Sequence, residues 1–126
     1  MSFTNFLETE ILDHVFGGAA YTAPGTLYLG LFTGAPSDTG GGTELSGNAY
    51  ARLPMAMSVS GNTATNSAAE EFATATGSWG TITHVGVFDA SSSGNLMAYG
   101  TLSASKSVGT GDVFRIPAGD LDITLD

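Results

Sequence analysis

The chain has 126 residues, 42% of them hydrophobic and only 12% charged, and its twelve acids against three bases leave a net charge of −9. That length suits a single domain, 1–126, with a core of its own, and so few cations exclude phosphate-driven nucleic-acid binding and attraction to an anionic membrane. The absence of cysteine removes disulfide scaffolds, thiolate metal sites and cysteine nucleophiles.

The opening MSFTNFLETEILDHVF carries acids among its apolar residues and has no basic n-region. It is therefore expected not to be a signal peptide, and no stretch approaches the roughly 18 apolar residues of a membrane span. The product is expected to be made in the cytoplasm. Residues 2–16 instead read as one N-terminal helix. Phe3, Phe6, Leu7, Ile11, Leu12, Val15 and Phe16 recur at helical spacing, which makes an apolar face. Ser2 or Thr4 offers an N-cap, and Gly17-Gly18 a stop. Such a short helix is marginal in water unless it docks on a sheet or a neighbouring subunit.

Beyond the helix the period changes from 3.6 toward 2. Thr26 to Phe32 reads as a strand that is apolar on both faces, the pattern of a strand covered on both sides. Residues 33–48 form a long Gly/Ser-rich loop, and loops of this length are commonly functional or disordered. The span 50–125 is expected to hold the remaining strands: Tyr50–Val59, Glu71–Ala75, Thr81–Asp89, Leu96–Leu102, Asp112–Ile116 and Asp120–Leu125. Turn residues such as Ser60-Gly61-Asn62 and Gly109-Thr110-Gly111 separate them. Many short strands at such spacing predict a mainly β fold, an antiparallel β-sandwich of jelly-roll-like type with one short N-terminal helix. Its core is expected to include Leu27, Leu29, Leu31, Ile82, Val85, Val87, Leu96, Val113, Phe114, Ile116, Leu121 and Ile123.

The same pass yields little chemistry. His84 stands in a strand without a Gly-x-Ser-x-Gly elbow, and a lone strand histidine is ordinarily a hydrogen-bonded structural residue. A small hydrolase around His84 is the weakest of the readings. Glu70-Glu71 and the trio Asp120, Asp122 and Asp126 are acid pairs without the facing geometry that glycoside hydrolysis needs. No D-x-D-x-D-G calcium loop is present, and Gly40-Gly41-Gly42 lacks a following Lys-Ser/Thr. No catalytic residue, metal or cofactor is therefore expected, and the chain is read as not an enzyme. Trp79 with Tyr28, Tyr50 and Tyr99 would suit a carbohydrate-binding module, although a core or interface anchor is the commoner role.

The segments ILDHVFGG (11–18), LYLGLFTGAPSD (27–38), GGTELSGNAYAR (41–52), SWGTITHVGVFDASSSGNLMAYGTL (78–102) and GDVFRIPAGDLDITLD (111–126) carry a resemblance over nearly the whole chain. It resembles a family of small tailed-phage virion structural proteins, often labelled tail fibre proteins. The resemblance implies a non-enzymatic virion component present in many copies. The partners it implies are other copies of the chain, with a homotrimer favoured, and other virion proteins of the baseplate and tail or the major capsid protein. A capsid decoration protein shares every one of these features. Candidate interface residues on this reading are Phe3, Phe6, Leu7 and Ile11 of the helix, and Trp79. Arg52 and Arg115 are scarce enough that each is expected to pair with an acid.

Overall fold

The computed structural model describes residues 1–125, so Asp126, grouped above with Asp120 and Asp122, lies outside the described residues. The elements run β1 (Ser2–Phe3), α1 (Asn5–Val15), β2 (Leu27–Gly34), β3 (Thr43–Glu44), β4 (Leu53–Met55), β5 (Met57–Ser60), β6 (Thr63–Asn66), β7 (Glu70–Glu71), β8 (Gly80–Phe88), β9 (Leu96–Val108), β10 (Arg115–Ile116) and β11 (Asp122–Thr124). The fold is mainly β, with antiparallel sheets and one helix. The large sheet has the order β1-β9-β8-β2, and β3 and β4 share the outer edge of β2. A three-stranded sheet (β11-β6-β5) and a two-stranded one (β10-β7) complete a sandwich-like arrangement of unequal layers.

Strand alternation explains the layers. Successive side chains of a strand point to opposite faces. Leu29 and Leu31 of β2 thus share a face with their cross-strand partners Val87 and Val85. All four are essentially buried and join Phe72, Phe114, Ile116 and Leu121 in the main core. Burying each such aliphatic side chain contributes about 1.5–3 kcal/mol. The opposite face of the same two strands carries a second cluster of Phe32, Phe88 and Leu96, flanked by Tyr28 and Tyr99. The double apolarity of β2 therefore reflects two covered faces. Gly30 and Gly86 are register partners on that second face. A Cβ at Gly86 would come within 2.6 Å of Leu96 and 2.8 Å of Phe32, and one at Gly30 within 2.7 Å of Phe88. The glycine pair leaves the space in which Phe32 and Phe88 stack with centroids 5.9 Å apart.

Several boundaries differ from the sequence reading. The helix begins at Asn5, because Ser2 and Phe3 pair with Tyr99 and Ala98 of β9 instead. Thr4 is the N-cap by position, but its side chain makes no cap bond and donates to the Leu96 carbonyl at 2.6 Å. The Gly/Ser-rich loop is shorter than residues 33–48, since β2 runs on to Gly34 and Thr43–Glu44 pair with it. The strand expected at Glu71–Ala75 is regular only at Glu70–Glu71. Beyond it, Phe72 and Ala75 still donate to the carbonyls of Phe114 and Asp112. Val113 is 47% exposed and not core. Phe114 and Ile116 point inward, and alternation turns Val113 and Arg115 outward.

Candidate interaction surface

Helix α1 has no fully buried residue. It lies against β1 and β9, with Phe6, Leu7 and Ile11 half-buried and Phe3 half-buried just before it. Leu12, Val15 and Phe16 are 58%, 60% and 81% exposed. The two sets follow from geometry. At 3.6 residues per turn, the five apolar positions inside α1, Phe6, Leu7, Ile11, Leu12 and Val15, cover an arc of roughly 240°, far wider than the ~100° stripe one packing surface needs. The helix thus has an inner apolar face against its own sheet and an outer one in solvent. Its start is held firmly: the Asn5 N–H donates to the Asp38 carbonyl at 2.8 Å, and the Tyr99 hydroxyl donates to the Asp38 carboxylate at 2.5 Å. That carboxylate holds the Tyr99 phenol above its ordinary pKa. A groove of about 520 Å³ borders the outer face, with Phe3, Ile11, Leu12 and Leu125 as its apolar lining and Glu8 and Asp38 as its acids.

The cations are distributed unevenly. Arg52 is held inside the fold. Its Nε and Nη2 donate to the two Glu44 carboxylate oxygens at 2.8 Å each, and Nη1 donates to the carbonyls of Ala90 (2.9 Å) and Ser93 (2.8 Å). Its guanidinium stacks over the Phe88 ring, 3.4 Å from the centroid. The Tyr50 hydroxyl donates to Glu44 at 2.7 Å and accepts from the Leu31 N–H. Burial and the bond to Glu44 hold the Tyr50 phenol well above its usual value, and the same carboxylate raises Arg52. This cluster fastens β3 and the segment 45–52 to β2 and to the β8–β9 turn. The pairing expected for Arg52 is present, and Arg52–Glu44 is the single ion pair among the described residues, so Arg115 has none there. Lys106 and Arg115 border one hollow of about 280 Å³, together with Asp112 and the exposed Val113.

Trp79 lies inside the chain's own core, 5% exposed. Its indole N–H donates to the Asn48 carbonyl at 2.9 Å, and it packs edge-on against Tyr50 and Phe72. It has almost no surface to offer another molecule. His84 is half-buried, with Nδ1 2.8 Å from the hydroxyl of its neighbour Thr83. His14 is exposed, with Nδ1 3.1 Å from the Ala19 carbonyl. Among the described residues, no three His, Asp or Glu side chains cluster as metal ligands, and no helix is long and apolar enough to cross a membrane. Of the residues read as an interface, Phe3, Phe6, Leu7 and Ile11 cluster at α1 while Trp79 stands apart in the core. The exposed set Leu12, Val15 and Phe16 was absent from that reading, although the over-wide apolar arc was its signal.

A family model described as "Podophage GP4 fiber I protein gp80" matches residues 2–124. No curated protein matches the chain.

Proposed function

Because the chain belongs to the podophage GP4 fiber I protein family, and is thus a structural component of a phage particle, we propose that it is a tail-fibre or tail-tip subunit that self-associates, as a homotrimer, and docks on other virion proteins. The observation that carries the reading is the outer face of α1. Soluble monomers seldom leave large apolar side chains contiguous and exposed without a partner, and Leu12, Val15 and Phe16 follow one another on a single helical stripe. The half-buried Phe3, Phe6, Leu7 and Ile11 beside them support the same element as the contact region. The mostly uncharged polar surface agrees with this role, because neighbouring copies can approach without dense like charge between them. The symmetric packing of identical subunits is the ordinary route to such assemblies.

Sedimentation equilibrium of the purified chain tests the self-association, with a concentration-dependent trimer as the expected result. A monomer persisting at about 1 mM would overturn the reading. Imaging of particles carrying a labelled copy of the chain tests the position: density on the tail supports a fibre, and density spread over the shell supports a decoration protein instead.

A further inference from the structure

We propose that β5 is an open sheet edge on which a second copy of this chain pairs, β5 against β5 about a two-fold axis at Ser58. The contact is separate from the trimer proposed above and joins copies two by two. A strand edge presents N–H and C=O groups that another strand can bond, and folds ordinarily blunt such edges with charge, proline, bulges or short length. The other edges of this fold are blunted among the described residues. β1 has two residues, β3 carries Glu44, β4 Pro54 and β11 Asp122, and β7 and β10 are charged. β9 bulges, with Leu102–Ser105 opposite Thr83 alone. β5, Met57–Ser60, has none of these devices. It pairs only with β6, in unbroken register.

That register identifies the free backbone groups. Ser60 and Thr63 face each other across the two-residue turn Gly61-Asn62, and the pair that closes such a turn is hydrogen-bonded. By alternation Ser58 also bonds to β6, while the N–H and C=O groups of Met57 and Val59 point away from it. β2 does not reach them, because it starts at Leu27, opposite Met55. A hollow of about 520 Å³ opens instead between Pro24–Leu27 and Pro54–Met57. The side chains agree. Met57 packs on the main core, and Val59, on the same strand face, is 74% exposed. Val59 overhangs the core where a further strand would lie.

The edge is complementary to itself. In antiparallel pairing about Ser58, Met57 of each copy meets Val59 of the other, and each of these pairs exchanges two backbone hydrogen bonds. Val59 is then covered by a methionine of the second copy, and the hairpin tip Ser60-Gly61-Asn62 of each copy points toward the hollow beside the other's Met57. No charged residue stands between Arg52 and Glu70. A chain of net charge −9 therefore brings two such edges together without setting like charges opposite each other, which destabilises cross-strand pairs. The same patch on both copies makes the contact isologous, as a two-fold axis requires.

Disulfide trapping tests this, because the chain has no cysteine of its own. Ser58 and Ser60 are both exposed, on the same face of β5. In the proposed pairing the two copies of residue 58 face each other with Cα atoms about 4.5 Å apart, within the range a disulfide spans. The two copies of residue 60 stand about 14 Å apart at roughly 3.4 Å per residue, too far to bridge. Under mild oxidation of the full chain, Ser58→Cys is expected to form covalent dimers at least about tenfold faster than Ser60→Cys. Val59→Pro removes an N–H that β6 does not use and is expected to bring Ser58→Cys down to the Ser60→Cys rate, with the melting temperature verifying that the fold is kept. Equal rates for the two cysteine variants overturn the contact, whether or not the unaltered chain sediments as a trimer. Preferential trapping at residue 58 upholds it even on a chain that forms no trimer, so the two readings fail separately.

Discussion

Replacing Arg52 by alanine is the sharpest test of how this fold is held. The side chain is only 9% exposed and its partner Glu44 23%, so the substitution leaves a carboxylate largely shielded from water without its countercharge. Removing one partner of a buried pair costs about 3–5 kcal/mol. The lost stacking on Phe88 adds about 1 kcal/mol, and the freed carbonyl of exposed Ser93 recovers part of its loss from water. A net cost of about 4 kcal/mol follows, against the roughly 5–15 kcal/mol that holds a whole domain together. At about 4 °C per kcal/mol for a chain of this size, the melting temperature should fall by about 15 °C. Urea unfolding followed by the fluorescence of Trp79, the single tryptophan, measures this directly. Arg52→Lys keeps the charge but not the two-pronged geometry, and should lose about half as much. The pair Arg52→Met/Glu44→Leu should cost less than Arg52→Ala, since no charge is then stranded. A loss below about 1 kcal/mol for Arg52→Ala, with an unchanged denaturant slope, would refute the view that this cluster anchors the segment 45–52.

Other substitutions probe other parts. Gly86→Ala forces a methyl against Leu96 and Phe32 and should cost about 1–3 kcal/mol in the same unfolding experiment. Asn66 is 1% exposed, donates to the carbonyls of Ala68 and Pro117, and accepts from the Leu121 N–H. Asn66→Ala strands those groups and should cost about 2–4 kcal/mol. Asn66→Asp should cost more at neutral pH, because a carboxylate would face two carbonyl oxygens, with the deficit shrinking on acidification. Burial raises the pKa of Glu70, so its ionisation opposes folding. That opposition is absent below the unfolded carboxylate pKa and develops as pH rises through the folded one. Glu70→Gln should therefore raise the melting temperature at pH 7, with the gain disappearing toward pH 4.

Local pattern and long-range placement divided what could be read. The β character, the helix, the alternation of Leu29 and Leu31, and the strands around Thr81–Asp89 and Leu96–Leu102 are properties of neighbouring residues with a period of 2 or 3.6. They stand in the fold nearly where the pattern put them. The helix start was misjudged because Ser2 and Phe3 pair with residues almost a hundred positions away, a competition that local periodicity does not contain. Val113 was misplaced for lack of the register of β10, which sets the faces of the whole segment.

By itself, the sequence determined the acidity, the scarcity of cations, the absence of thiol chemistry and an apolar arc on α1 too wide for one surface. Only the tertiary structure decided which half of that arc faces the sheet, that Trp79 turns into the core, and that Glu44 receives Arg52. It also brought Lys106 and Arg115 to one hollow. The reason is physical: composition and period are carried by residues adjacent in the chain. Which charge meets which partner depends on strand register and loop path, and these are settled only when the sheets close on a common core.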